Sequence, residues 1–488
     1  MNIRLPWMFG SLAGALGLAS CAVGPDFKTP PPPEMSAYVS ALPAVTAATP
    51  RTALGGPQRF VGAMDLSAEW WTAFRSPALN DLVGRSLKAN PSLEAARAAL
   101  RQARELATAQ RGAFFPTVTA GLGASRNLTA TAAVSPASAT GNPYYSLITP
   151  QLNVSFVPDV FGANARTVEA LDAQAENQRF QLEATLLTLT GNVVAGAAQE
   201  ASLRGQIAAI QETIRIAREL LRILKMKQTA GDVSGADVAA QEAALAQAEQ
   251  SLPPLRKQLA QQRDALTALA GRFPVEEIEE TFDLAHFTLP ADLPLSLPSE
   301  LVAHRPDVRQ AEATLHATSA NVGVAVAARL PQITLSANLG ASVNGVSQLF
   351  TPGTAFWTVA GGLTHPLFEG FSLLHKERAA RAAFDQAAAQ YRLTVLTAFQ
   401  NVADTLRALQ YDAETLRAAA ASEAAAARSL EIVRRQLTVG QIPYAGVLAA
   451  ETTYQQARLA LVQAQANRLA DTAALFQALG GGWWNRSP

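Results

Sequence analysis

The chain is built from two copies of one plan. Asn90-Pro91 aligns with Arg305-Pro306 and Pro116 with Pro331 at an offset of 215 residues. Further on, Asn192 aligns with Asn401, Gly231 with Gly440, Val238 with Val447 and Glu242 with Glu451 at about 209. Each copy is then a supersecondary unit completed by its neighbour. Both read as a helix of about twenty residues, two strands around a loop, a very long helix, a tight turn and a returning helix. Length alone would suggest about three domains, but the duplication predicts one intertwined unit.

The first helix carries Leu93, Ala96, Leu100, Ala103 and Ala107, and its counterpart Val308, Ala311, Leu315, Thr318 and Val322. Steps of three and four put these along one helix face. The long helix begins near Ala163 and shows Leu182, Leu186, Leu189 and Val193, then Leu203, Ile207, Ile210, Ile214 and Leu221. Running from about 163 to 230, it would be on the order of 100 Å long, so it must pack along other rods. Pro253-Pro254 inside the returning helix predicts a break or kink there. His304 reads as a helix-start residue.

The strands alternate strictly. After Pro331 the chain sets Ile333, Leu335, Ala337 and Leu339 against Gln332, Thr334, Ser336 and Asn338. In the first copy Val118, Ala120 and Leu122 oppose Thr117 and Thr119, and Leu152, Val154 and Phe156 oppose Gln151, Asn153 and Ser155. The fourth strand sets Trp357, Val359 and Leu363 against Thr358 and Thr364. Four strands of about ten residues suit a tilted bilayer crossing. Aromatics collect at both expected rims: Phe114, Phe115, Phe161, Phe368 and Phe371 at one, Tyr144, Tyr145, Phe350, Phe356 and Trp357 at the other. Thr117, Thr119, Gln151, Asn153, Ser155, Gln332, Thr334, Ser336 and Asn338 form a candidate lumen-facing set without charge. Water-exposed hairpins packed on helices would alternate in the same way. The polar loop 127–143 and the excess length of the helices favour membrane strands.

Composition narrows the class. Only 16% of residues are charged, against about 25% in an average soluble domain. Thirty-nine basic residues balance thirty-nine acidic ones, which argues against binding nucleic acid or a polybasic membrane contact. The single cysteine, Cys21, excludes an intramolecular disulfide and a cysteine-cluster metal site. Arg4 and the apolar stretch Leu5 to Ala19 close on Leu18-Ala19-Ser20-Cys21, a secretory signal ending in a lipobox. Cleavage then leaves a diacylglycerol on Cys21 at the mature N-terminus. Ala22 stands where an aspartate would favour inner-membrane retention, so outer-membrane delivery is expected. Pro25 and Pro30 to Pro33 predict a stiff tether. Past the signal, no window holds the ~18 apolar residues of a spanning helix, so any membrane crossing is made by strands.

Four strands cannot close a barrel, since the smallest have about eight. Open edges in lipid cost several kcal/mol per unsatisfied group, so the protein must oligomerise. Eight strands from a dimer and twelve from a trimer are both possible; an export conduit favours the trimer. The helices then project into the periplasm from an outer-membrane sheet.

At the far end, Gly231-Asp232-Val233-Ser234 leads into Asp237-Val238, and Gly440-Gln441-Ile442-Pro443 into Val447-Leu448. Helix capping accounts for much of this: Gly231 and Gly440 suit left-handed helix ends, Ser234 with Asp237 approximates a capping box, and Pro443 suits a first helical turn. Two matched turns at the tip of a tube are also where a partner would dock and a pore would close. An enzyme is disfavoured: the five histidines, His286, His304, His316, His365 and His375, have no metal-ligand spacing, and no nucleophile motif or phosphate loop appears. No cofactor or metal is expected.

These residues resemble the outer-membrane efflux proteins, in the lipoprotein branch of the outer-membrane factors that serve resistance-nodulation-division pumps. The resemblance rests on Cys21-Ala22-Val23-Gly24-Pro25-Asp26-Phe27, Trp70-Trp71 with Phe74, His304-Arg305-Pro306-Asp307-Val308-Arg309, the two turns, and Ala478-Leu479-Gly480-Gly481-Gly482-Trp483. It implies an α+β membrane protein: a homotrimer whose twelve-stranded barrel in outer-membrane lipid continues into a periplasmic α-helical barrel. It also implies a periplasmic adaptor (membrane fusion) protein and an inner-membrane pump as partners. The expected organisation is a signal peptide (1–20), a lipidated tether (21–75), the first repeat (76–275), a linker (276–297), the second repeat (298–482) and a tail (483–488). Expected strands are ~117–126, ~147–157, ~332–343 and ~355–368. Members often carry an acid nine positions after the second tip glycine; here it is Ala449, leaving Asp237 and Glu451 as candidate gate acids. A protein-secretion channel and a non-conducting periplasmic scaffold are the competing readings, and the second leaves the four strands unexplained.

Overall fold

The computed structural model describes residues 22–128 and 144–486. Cys21, the predicted signal 1–20 and most of the loop 127–143 lie outside the described residues. In chain order come β1 (Arg59–Gly62), α1 (Pro77–Ala89), α2 (Pro91–Arg111), β2 (Thr117–Leu128), β3 (Tyr144–Phe156) and α3 (Ala163–Thr229). Then follow α4 (Gly235–Leu269), β4 (Asp292–Leu295), α5 (Pro298–His304), α6 (Pro306–Ala327), β5 (Gln332–Ala341), β6 (Ala355–Thr364), α7 (Ser372–Thr438) and α8 (Tyr444–Ala478). The duplication is visible in the lengths: α3 and α7 both have 67 residues, α4 and α8 both 35. At ~1.5 Å per residue α3 and α7 are each about 100 Å long.

The chain forms two compact units. One holds the chain up to Thr29, Leu100–Gln178 and Ala311–Tyr391. Its four-stranded antiparallel sheet has the order β2-β3-β5-β6. The first described residues dock here. Val23 N donates to Phe161 O (3.2 Å), and Arg166 donates through Nε to Val23 O (3.1 Å) and through Nη2 to Asp26 (2.7 Å). Phe27 stacks on His316 at 4.3 Å, and Thr29 Oγ1 donates to Glu312 (3.1 Å). The segment Ala22 to Thr29, read from its sequence as a tether, is thus packed onto α3 and α6.

The other unit holds Pro30–Ala99, Arg179–Gln310 and Arg392–Pro488. Trp70 and Phe74 are buried with Phe476, whose ring stacks on Trp70 at 5.5 Å. The helix breaks follow one local rule in both copies. A residue before proline is driven to extended backbone, and Asn90 (ψ 122°) and Arg305 (ψ 124°) obey it before Pro91 and Pro306. His304 is therefore the last residue of α5 and not a helix start. Its ring stacks on Trp484 at 3.9 Å, and burial lowers its pKa.

Two sequence motifs meet at this point. Arg305 donates to the α8 carbonyl of Ala478 (2.9 Å) and forks onto Asp307. Gly480, Gly481 and Gly482 all have positive φ, and a Cβ on Gly482 would lie 2.5 Å from Ser67 O. Only glycine fits such a run.

Three further expectations change. The segment 276–297 is no plain linker: β4 pairs in parallel with β1, from Arg59↔Asp292 to Gly62↔Leu295. α4 runs unbroken through Pro253 and Pro254. The carbonyls that those prolines leave without an N–H belong to Glu249 and Gln250, and all four residues are exposed, so water takes over the lost bonds. Pro443 is the N-cap of α8 and lies just outside its first turn.

Replacing Arg305 by Ala takes the side-chain donor from the carbonyl of Ala478, while Asp307, part-exposed, keeps its bond from Val308 N. The expected cost is about 2 kcal/mol or more, read as a lower thermal midpoint, with Arg305→Lys recovering only part because a lysine cannot make both contacts at once. An unchanged midpoint for Arg305→Ala would remove this clasp from the account of the fold.

Candidate functional site

Register decides which strand residues share a face. Thr119↔Asn153, Asn153↔Asn338 and Asn338↔Thr358 form one row across all four strands. Thr117↔Ser155 and Ser155↔Ser336 form the next, and Gln151, Gln332 and Thr334 fall on the same face. The opposite face holds Val118↔Val154, Val154↔Ala337 and Ala337↔Val359, with Leu152↔Leu339 and Leu339↔Trp357 beside them. All nine polar candidates therefore lie on one uncharged face. The apolar face is bare in a single chain: Leu122 is 73% exposed, Val359 72% and Trp357 75%.

Two rim aromatics sit apart from the others. Tyr145 pairs with Asn127 on the polar face, and Phe356 pairs with Gly340 on that face, its ring closing over the glycine. Alternation within each strand puts them there, Phe356 two residues before Thr358 and Tyr145 in step with Gln151 and Asn153, although their position at the rim suggests an interfacial girdle.

The two tip turns are built alike. Asp232 N donates to Lys227 O (2.9 Å) and Gln441 N to Gln436 O (2.9 Å), each closing a helix end over a glycine at positive φ, Gly231 and Gly440. Between them lies an apolar cluster. Leu220 and Leu224 of α3, Val238 of α4, and Tyr444 and Val447 of α8 are buried, with Val233, Ile442 and Leu448 packed against them. Val447 is fully buried and Val238 nearly so (0% and 7% exposed). Neither can touch a partner; they hold the two repeats together. Exposure leaves Gly231, Asp232, Ser234, Gly440 and Gln441 at the surface.

The acids have local duties. Asp237 completes a capping box with Ser234, accepting from Ser234 N (3.2 Å) and Ser234 Oγ (2.7 Å). Glu451 accepts from Arg434 at 3.0 Å and is mostly buried. Burial raises its pKa and Arg434 opposes the shift. Ala449 is exposed. Sequence reading missed the contact that ties the turns together: Tyr444 donates its hydroxyl to Gln241 Oε1, and Gln241 Nε2 donates to Ala217 O (2.8 Å). The matched offsets brought Val238 and Val447 to notice, but nothing local marks Gln241.

Among the described residues no group of His, Asp and Glu is arranged to hold a metal ion, and no helix is long and apolar enough to cross a membrane. The family model for outer membrane efflux proteins matches residues 82–272 and 297–481. The chain belongs to that family. A pyoverdine export outer membrane protein, OpmQ of Pseudomonas putida, is 30% identical over 86% of this chain and 89% of its own length. The toluene efflux pump outer membrane protein TtgF of Pseudomonas putida is 28% identical over 98% and 97%. Among solved structures, the outer-membrane channel OprN superposes with a TM-score of 0.84 at 27% identity, covering 95% of this chain and all of the other. These relatives are channels and efflux components, not enzymes, and the role of this efflux protein is that of an outer-membrane channel.

Replacing Asp237 by Ala removes one half of the capping box in this efflux protein, at a cost of about 1 kcal/mol to the first turn of α4. Single-channel leak is expected to rise; unchanged conductance would take Asp237 out of the gate.

Proposed function

We propose that this protein is the outer-membrane duct of a tripartite efflux system, a homotrimer that passively conducts small molecules from periplasm to exterior. The reading rests on one observation: a four-stranded sheet with a bare apolar face, an uncharged polar face and two outer strands, β2 and β6, that have no second partner among the described residues. Lipid covers the apolar face. The outer strands pair with those of neighbouring copies, because an unpaired strand edge in hydrocarbon leaves polar groups unsatisfied. Three copies give twelve strands and a passage wide enough for solutes. The nine polar residues then line the bore, where Thr, Ser, Asn and Gln admit varied cargo without sorting it by charge.

A periplasmic adaptor and an inner-membrane pump of the resistance-nodulation-division type supply energy and selection. The exposed turn residues Gly231, Asp232, Gly440 and Gln441 are the proposed contact surface, with Asp237 and Glu451 stabilising the closed turns from behind. Relatives named for pyoverdine and for toluene suggest organic cargo of varied polarity. Diacylglycerol on Cys21 anchors the chain in the outer membrane, next to the docked segment that begins at Ala22.

Detergent extraction with mass measurement, followed by bilayer conductance, tests the reading. A trimer that conducts is expected, with Cys21→Ala abolishing acylation while the pore survives. A monomer without conductance would sink it. Asn153→Asp places a carboxylate ring in the bore and is expected to shift the reversal potential toward cations; an unshifted potential would take Asn153 out of the lumen.

A further inference from the structure

The segment 44–60 lies on α8 as a strap. It is closed on itself by Thr46 N to Gln58 O (2.9 Å) and, at its tip, by Thr49 N to Gly55 O (2.8 Å). From α8 the buried guanidinium of Arg468 donates to Gly56 O (2.6 Å) and Thr46 Oγ1 (3.1 Å), and Gln465 Nε2 donates to Ala53 O (3.3 Å). A cavity of about 560 Å³ is bounded by the tip of the strap, by α7 and by α8. Arg417, Ala420, Ala421 and Ala424 border it from α7, at steps of three, four and seven that share one helix face. Arg458, Leu461 and Gln465 border it from α8 in the same way. The three alanines carry nothing beyond Cβ, so α7 has no side chain at these positions that could fill the space.

Charge on the walls is one-sided. The strap supplies Arg51, α7 supplies Arg417 and α8 supplies Arg458, one guanidinium from each element, against the single carboxylate of Glu423. Arg458 already takes that carboxylate (3.3 Å), and Arg51 and Arg417 have no ion-pair partner among the described residues. Arg51 also holds a left-handed backbone (φ 64°), a strain that persists only where the surroundings fix it. Thr49, 6% exposed, borders the same cavity, and its hydroxyl has no hydrogen-bond partner. Like charges brought to one cavity by three elements oppose the docking of the strap unless an anion lies among them. Guanidinium groups suit oxyanions, which they grip through paired N–H bonds, and a hydroxyl can add a further donor.

We propose that this cavity binds a small oxyanion carrying two or more charges, a polycarboxylate or a phosphate, which bridges Arg51, Arg417 and Arg458 and so pins the strap to α7 and α8. A ligand held by all three elements binds only the docked arrangement, and by mass action it makes opening of the strap rarer.

Isothermal titration calorimetry on the full-length protein in detergent, at constant ionic strength in chloride, tests this with citrate and inorganic phosphate as separate probes. Saturable binding of one probe molecule per chain is expected. Tighter binding of citrate assigns the site to carboxylates, and tighter binding of phosphate assigns it to phosphoryl groups. Arg51→Gln and Arg417→Gln each remove an exposed guanidinium and are expected to weaken binding about tenfold or more, whereas Arg392→Gln, at an exposed position earlier on α7, leaves it unchanged. Hydrogen exchange in peptides spanning 44–60 is expected to slow when the tighter probe is added to the wild type. Absence of saturable binding by both probes would overturn the proposal. So would equal affinity in the wild type and both cavity variants, or exchange in the strap that ignores a bound probe.

Discussion

Backbone hydrogen bonding in hydrocarbon is the constraint on which this protein turns. β2 and β6 are the outer strands of an open sheet whose apolar face has no cover among the described residues. In water such edges would be hydrated; in lipid each unpaired N–H or C=O costs several kcal/mol. Strand length, the alternation of faces and the proposed assembly with further copies all answer to this one requirement. The polar face follows too, because alternation that puts Val118, Val154 and Val359 on one side leaves Thr119, Asn153 and Asn338 on the other.

The duplication does its structural work in the helices. Equal lengths in α3 and α7, and again in α4 and α8, bring two equivalent turns to equivalent ends of the repeats. They are not left as separate points. Leu220, Leu224, Val238, Tyr444 and Val447 join them in one apolar cluster, and the Tyr444 to Gln241 contact adds direction to that packing. Burial of a methyl-rich side chain such as Val447 contributes roughly 1.5–3 kcal/mol. Pairing of the turns is thus an internal property of the chain, present before any partner arrives.

Several residues that look functional in one dimension are architectural in three. Arg305 closes the end of α8, and the three glycines from Gly480 to Gly482 let the chain pass against Ser67. Asp26 and Phe27 fasten the N-terminal segment to Arg166 and His316. Charged and aromatic groups at these points replace the area of core that rods and an open sheet cannot supply. Arg468 is the extreme case: a fully buried cation of α8 held by Gly56 O, Thr46 Oγ1 and Gln58 Oε1.

What the sequence determined by itself is everything with a short repeat distance. The offset between Pro91 and Pro306, the period-two runs after Pro116 and Pro331, the long apolar seams and the glycines at 231 and 440 are local patterns, and local backbone chemistry reads them directly. Tertiary structure decided what depends on distant partners. Register lined up Asn153, Asn338 and Thr358 in one row, a parallel pairing made strands of Arg59–Gly62 and Asp292–Leu295, and packing withdrew Val238 and Val447 from the surface. α4 stays helical through Pro253 and Pro254 because the carbonyls they abandon face water. The division has one cause: periodicity is written into neighbouring residues, whereas burial and register are set by groups hundreds of positions away.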